Sequence, residues 1–236
     1  ANIHCDKDYF LTIEKDTTQA LIIDREKFIR NIALEAEDSG TILRLQRLVS
    51  NFEISENGVE VYAKYNGDIE KYNSDVLVIA SGYGSKLAKR AGFGLSKHYI
   101  YGYQTKLNNV DVDKVNVFSG DPLPKGHFGW VVPTSKNKGY CGVLGKEKLR
   151  NNGLEFLSDM QQKFNFDIEE KTKVWGIPIS PVDKKSRNRS LLVGDVAGQV
   201  KPTTGGGIYF AMRSADVAAE VINDSLLTRD FSEEHF

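Results

Sequence analysis

The sequence predicts a mixed α/β (α+β) chain of two lobes: a three-layer lobe of strand-to-helix units and an inserted antiparallel sheet. Three observations carry this. Strand-then-helix patterns stand near both ends, at "QALIIDREKFIRNIALEAEDSG" and at "SLLVGDVAGQVKPTTGGGIYFAMRSADVAAEVI". Between Tyr99 and Gly145 every apolar stretch reads as a strand. At 236 residues the chain is long enough for one large or two small cores. The interleaving assigns residues 1–97 and 181–236 to the three-layer lobe and 98–180 to the antiparallel one.

Taken in order, "QALII" reads as a strand and Asp24 as the N-cap of a helix from Arg25 to about Asp38. Its apolar face is Phe28, Ile29, Ile32, Ala33 and Ala36, and Ser39-Gly40 ends it. "TILRLQRLVSNFEIS" follows as a long strand. With "VEVYAKY" between the turn signals "ENG" and "YNG", it predicts a three-stranded meander. The unbroken apolar run Val76–Ala80 has the pattern of a buried parallel strand and leads through a Gly-Ser turn into "KLAKRAG". "YIYGYQTKL", "KVNVFSG", "HFGWVVP" and "GYCGVLG" build the antiparallel sheet. "LEFLSDMQQKF" reads as a helix and "KVWGIPISPV" as a further strand.

Composition excludes several classes. The formal net charge is -1, with no basic block, so nothing here recognises nucleic acid. Cys5 and Cys141 make no disulfide framework, which points to a reducing, cytoplasmic setting. No apolar run approaches the ~18 residues of a membrane span, and "ANIHCDKDYF" has no signal-peptide pattern. His4, His98, His127 and His235 show no ligand spacing with the cysteines or each other, so no metal site is expected. His127 reads as structural or solvent-facing.

The chemistry concentrates in "GDVAGQVKPTTGGG" and the helix expected from Gly206. A helix N-terminus leaves its first amides without partners and carries about half a positive charge, and glycines there let a ligand approach the backbone. A phosphate or the electron-rich edge of a flavin suits such a place. Asp195, at the carboxyl end of strand Leu191–Val193, only accepts hydrogen bonds and therefore suits hydroxyls better than phosphates. The loop is not a P-loop, because Lys201 precedes the glycines and no Lys-Ser/Thr follows them. The alternative is a tight helix start packed through Ala211, Ala215, Ala218 and Ala219.

"GDVAGQVKPTTGGGIYFAMRSADVAAE" resembles the C-terminal flavin motif of the geranylgeranyl reductase family of FAD-dependent oxidoreductases, which have a p-hydroxybenzoate hydroxylase-like fold. The resemblance implies an FAD-binding three-layer lobe with an inserted substrate lobe. It implies that Asp195 binds the ribityl hydroxyls, that Pro202 lies near the isoalloxazine ring, and that the amides around Gly205, Gly206 and Gly207 face its pyrimidine edge. "LIIDREKFIRNIALEAEDSG" is similar to the family segment in which an Arg opens a helix beside the cofactor, making Arg25 a candidate contact. "SDVLVIASGYGSKLAKRAG" resembles the family's Asp-Gly turn followed by Ser and a basic residue. Gly82 and Ser85 match it, while Ser81 replaces the Asp. "PKGHFGWVVP" is similar to the substrate-lobe pattern Tyr-x-Trp-x-Phe-Pro, with Phe128, Trp130 and Pro133 in place and Val132 for Phe. On a strand Phe128, Trp130 and Val132 share one face, either as a wall for a hydrocarbon or as ordinary core. A halogenase reading is weaker, because Phe128 replaces that family's first Trp and no halogenase lysine motif is present.

The implied activity is hydride transfer from reduced FAD to a double bond of an isoprenoid chain, with NAD(P)H or a ferredoxin-type protein as donor. The lipid substrate brings peripheral membrane contact with it. The alternatives are a flavin monooxygenase or dehydrogenase on the same scaffold, or a non-catalytic fragment. The G-x-G-x-x-G fingerprint of the family's first βαβ unit is absent, and so is its C-terminal helical tail. The sequence thus reads as an internal piece of a longer relative. Expressed alone it is expected to be colourless, poorly soluble and inactive.

Overall fold

In the computed structural model, residues 1–6, 9–84, 86–120, 123, 126–146, 149–169 and 172–236 are described. The first half of the chain gives β1 (Asn2–Asp6), β2 (Tyr9–Thr12), α1 (Arg25–Asp38), β3 (Leu48–Ser55), β4 (Gly58–Tyr65), β5 (Asp68–Ser74), β6 (Leu77–Ile79) and α2 (Lys86–Arg90). Then follow β7 (Tyr99–Asn108), β8 (Asn116–Ser119), β9 (Phe128–Ser135), β10 (Lys138–Gly145) and α3 (Leu149–Phe164). The last part holds β11 (Asp167–Ile168), β12 (Lys173–Pro178), β13 (Ser186–Arg187), β14 (Ser190–Leu192), a 3-10 turn at Gly194–Ala197 and α4 (Ile208–Thr228). Residues 1–43 with 100–175 form one compact unit, and 44–99 with 176–236 form a second.

The first unit is built on a sheet in the order β11-β7-β10-β9-β8-β1-β2, with β12 also on β7. The pairs β10–β7, β10–β9 and β8–β9 are antiparallel, while β1 joins β8 in parallel. Side chains alternate across the sheet. Tyr103 and Leu107 of β7, Cys141 and Val143 of β10, Val131 of β9 and Phe118 of β8 pack with Phe156, Leu157 and Met160 of α3. The Phe156 ring lies so close over Gly129 that a Cβ there would meet it at 2.3 Å. Phe128, Trp130 and Val132 stand on the opposite face and are half-buried, so they are not part of this core.

In the second unit β3, β4 and β5 form the expected meander, with Asn66 and Gly67 supplying the left-handed turn between β4 and β5. A separate sheet, β13-β14-β6, pairs β14 with β6 in parallel. Its core is Phe52, Ile79, Ala88, Phe93, Val182, Leu192, Val196 and Ala197.

Several expectations are corrected. "QALII" is not a strand in the structure: a strand needs a ladder partner, and Leu21, Ile22 and Ile23 are exposed. The long strand expected from Thr41 begins only at Leu48, because Gln46 sits in the left-handed region, φ 60°. Helix α1 has the expected bounds, and the Asp24 carboxylate accepts the Lys27 amide hydrogen bond. No residue of α1 is buried, and Ile29 and Ile32 of its apolar face are exposed. Helix α3 starts five residues before Leu154. Gly153 falls inside this helix, and the Tyr103 ring lies where its Cβ would be, at 2.4 Å. Strand β6 is buried on one side only, since Val78 is exposed. The strand "KVWGIPISPV" stops at Pro178. Among the described residues no helix is long and apolar enough to cross a membrane.

Candidate functional site

The candidate site is assembled in the second unit from the ends of the two parallel strands. Leu77–Ile79 and Ser190–Leu192 lie side by side, and the Val193 amide donates to the Ile79 carbonyl at 3.1 Å. Both strands therefore finish at the same edge, where open α/β sheets place their ligands. After β6 the chain makes the Gly82–Gly84 turn. After β14 it makes the 3-10 turn that presents Asp195. That turn is fixed from within. The Gly194 amide donates to Gln199 Oε1 at 2.7 Å, and the Gly198 amide donates to the Asp195 carbonyl at 3.0 Å.

A cleft of about 100 Å³ opens at this edge, and Gly82, Tyr83, Lys86, Ser96, Tyr99 and Asp195 are among its lining residues. Two residues singled out from the sequence, Gly82 and Asp195, thus share one cleft although they lie far apart in the chain.

The loop from Lys201 to Gly207 closes on itself. The Gly205 amide donates to the Lys201 carbonyl at 2.9 Å, and the Lys201 amide donates to the Gly206 carbonyl at 3.0 Å. Gly205 adopts φ +68°, which a side chain rarely tolerates. These bonds delay the helix to Ile208, two residues after the expected start at Gly206, with Gly207 as N-cap. They also spend the Gly205 amide, so the donors left for a ligand are those at Gly206, Gly207 and the first turn. Among the described residues no side chain caps α4. Its first-turn amides have no preceding helical carbonyl to bond.

Asp195 meets this uncapped end. A Cβ at Gly207 would lie 2.9 Å from Asp195 Oδ1, so the carboxylate stands against the bare Cα. A helix N-terminus attracts negative charge, and the Asp195 carboxylate is placed at one. The site thus pairs an acceptor-only group with a run of donors: one suits hydroxyls, the other a developing negative charge.

The remaining residues fall elsewhere. Pro202 lies in the same loop and is exposed. Ser81 is exposed and outside the cleft lining, and Ser85 lies outside the described residues. Arg25, the first residue of α1, belongs to the first unit, as do Phe128, Trp130 and Pro133 on β9. Within that unit the Trp130 indole lies across Gly142, where a Cβ would meet it at 2.5 Å, and its Nε1 donates to Gln104 Oε1 at 3.1 Å. Phe128 stands beside it at 5.8 Å between ring centroids. His127 is buried against Gly145, a packing role. Among the described residues no group of three or more His, Cys, Asp and Glu is placed to hold a metal ion. Sequence reading missed Tyr83 and Tyr99 as cleft residues. The available signal was an aromatic residue between two turn glycines in "SGYGS".

No protein-family model matches the chain. A digeranylgeranylglycerophospholipid reductase of Methanococcus vannielii is 26% identical over 235 residues, covering 95% of this chain and 60% of the relative. A solved geranylgeranyl bacteriochlorophyll reductase-like protein of Thermoplasma acidophilum superposes with a TM-score of 0.88 at 23% identity, over all of this chain and 64% of its own. A flavin-dependent halogenase superposes with a TM-score of 0.75 at 16% identity, over 95% of this chain and 46% of its own. The fold is that of these flavoproteins, and the chain spans about 60% of the length of the curated relatives it matches. The likeness read from the Asp195 motif therefore extends along nearly the whole chain, which is similar to the digeranylgeranylglycerophospholipid reductases over 95% of its length.

Proposed function

We propose that the protein is an FAD-dependent oxidoreductase that reduces double bonds of a geranylgeranyl-type isoprenoid chain. The observation that carries this is Asp195 standing against the uncapped start of α4, in a cleft shared with Gly82. The fit to a flavin rests on the cradle at Gly207: with any side chain there, carboxylate and helix end could not be so close. In this reading Asp195 accepts from the ribityl hydroxyls. Pro202 and the amides of Gly206, Gly207 and the first turn of α4 face the ring's pyrimidine edge. When bound, the flavin supplies the hydride. The helix end stabilises the negative charge that gathers at that edge.

The same reading puts the cofactor on 1–97 and 181–236 and the substrate on 98–180, although residues 1–43 group with 100–175 and β1 and β2 extend the sheet of β7–β10. Arg25 is a further proposed contact to the cofactor. Phe128, Trp130 and Pro133 form the substrate wall. The half-exposed position of Phe128 and Trp130, opposite the core, favours a wall over ordinary packing. NAD(P)H or a ferredoxin-type protein is the proposed donor, and membrane contact comes through the lipid substrate. The names of the archaeal reductases favour an isoprenoid lipid. The halogenase likeness favours a second reading, flavin-dependent oxidation of a small molecule.

The test is anaerobic. Flavin in the purified protein is reduced, and its absorbance near ~450 nm, a property of the cofactor, is followed on adding a geranylgeranyl lipid. Return of absorbance together with a saturated product supports the reading. Return only on admitting oxygen, with the lipid unchanged, sinks it in favour of the oxidase-type alternative.

A further inference from the structure

We infer that Tyr83 is the aromatic wall of the cofactor cleft and stacks on the isoalloxazine ring; this rests on the flavin reading above. Tyr83 sits in the turn between β6 and α2, flanked by Gly82 and Gly84, both with φ in the left-handed region (+72° and +75°). Two such glycines let the turn carry a bulky residue outward without strain.

The ring is fixed from two sides. Its phenol end lies across the Cα of Gly176, where a Cβ would be 2.2 Å from Cζ. Tyr99 meets it edge-on at 5.3 Å between centroids, with the planes at 72°. Packing this close holds an aromatic side chain in one rotamer. Yet Tyr83 remains 43% exposed and lines the same cleft as Asp195 and Gly82. A rigid, half-open aromatic loses little conformational freedom when a second ring stacks on it.

The chemistry narrows the ligand. An aromatic wall recognises a flat ring, and an acceptor-only carboxylate in the same cleft recognises hydroxyls. Isoalloxazine with its ribityl chain presents both. So does adenosine, so the test separates the two halves of the dinucleotide. An electron-rich phenol in van der Waals contact quenches flavin emission, whereas contact with the adenine end leaves that emission alone.

The experiment compares emission of bound flavin in the purified, FAD-loaded protein, in Tyr83→Leu, in Tyr83→Trp and in Gly176→Ala. Bound flavin is expected to be dark in the unaltered protein and in Tyr83→Trp. It should brighten severalfold in Tyr83→Leu, with affinity weaker by roughly two- to tenfold. Gly176→Ala, whose new methyl displaces the ring, should brighten it as well. If Gly176→Ala does not fold, Tyr83→Leu decides, since it alters only a half-exposed side chain. Flavin that stays bound and equally dark in Tyr83→Leu overturns the inference, with a fall in affinity alone assigning Tyr83 to adenine. An unaltered full-length protein that binds no flavin overturns the underlying reading as well.

Discussion

Asp195 Oδ1 stands 2.9 Å from the point a Cβ on Gly207 would occupy, so the carboxylate fills the space that any other residue at 207 would claim. Gly207 has φ −99°, a value every residue adopts. Gly207→Ala is therefore a clean probe: the backbone accepts the methyl, and the carboxylate must turn away. Thermal stability is expected to change little. FAD affinity should fall roughly tenfold, as expected for one charge-assisted hydrogen bond put out of place. A melting curve and a cofactor titration on the same sample check it. Lost stability with unchanged affinity would make Asp195 a partner of the helix end and nothing more.

The first unit's core offers a test of its packing. Phe156 of α3 is buried, covers Gly129 and meets Phe118 edge-on at 5.5 Å between centroids. Phe156→Ala should cost about 3–5 kcal/mol of stability in urea unfolding, through lost burial and the cavity left behind. A cost below about 1 kcal/mol would mean that α3 is not seated on this face.

The two cysteines should behave differently. Cys5 is exposed and Cys141 buried, and burial pushes the Cys141 thiol up to about 12. Because the thiolate is the nucleophile, a thiol reagent at neutral pH should modify Cys5 quickly and Cys141 only on unfolding. The linkage has a definite sign. The folded value is raised above the ordinary 9.0, so this contribution to stability is whole below pH 9.0 and is lost as pH climbs toward 12. Rapid reaction of both thiols in the native protein would contradict the packing around β10.

An acid-side test lies in the meander. Hydrogen bonds from Arg47, and secondarily from Tyr72, hold the Glu70 carboxyl below its ordinary value of 4.5. Arg47 reaches it through Nε at 3.0 Å and Nη2 at 3.2 Å. A depressed folded value contributes stability above pH 4.5 that is lost as pH falls through the folded value. Urea midpoints measured from pH 6 downward should decline less steeply in Glu70→Gln than in the unaltered protein. Parallel declines would remove Glu70 from the account of acid sensitivity.

Much of this architecture was legible because local pattern and tertiary outcome agree. Asp24 as N-cap, the Asn66-Gly67 turn and the apolar run ending in Asp195 each have a local mechanism, and each appears as read. Failures came where a distant group decides. The start of α3 was missed by five residues, and Gly153 inside that added turn lies under the Tyr103 ring. "QALII" has strand composition but pairs with nothing described, and composition cannot supply a partner. The helix start at Ile208 was misplaced because the Lys201–Gly206 bond that closes the loop is a choice of backbone geometry. Within the site, Asp195 and the glycines were legible as a motif. Tyr83 was not, because its role depends on Gly176 and Tyr99, contacts no spacing rule encodes.

The proposed cofactor role of Asp195 is tested most directly by one dissociation constant. FAD is titrated into cofactor-free protein, unaltered and Asp195→Ala, under identical conditions. Removing a charge-assisted hydrogen bond to a ribityl hydroxyl should cost on the order of 1.5–3 kcal/mol, a roughly ten- to hundredfold weaker constant. Equal constants would contradict the assignment of this cleft to the flavin.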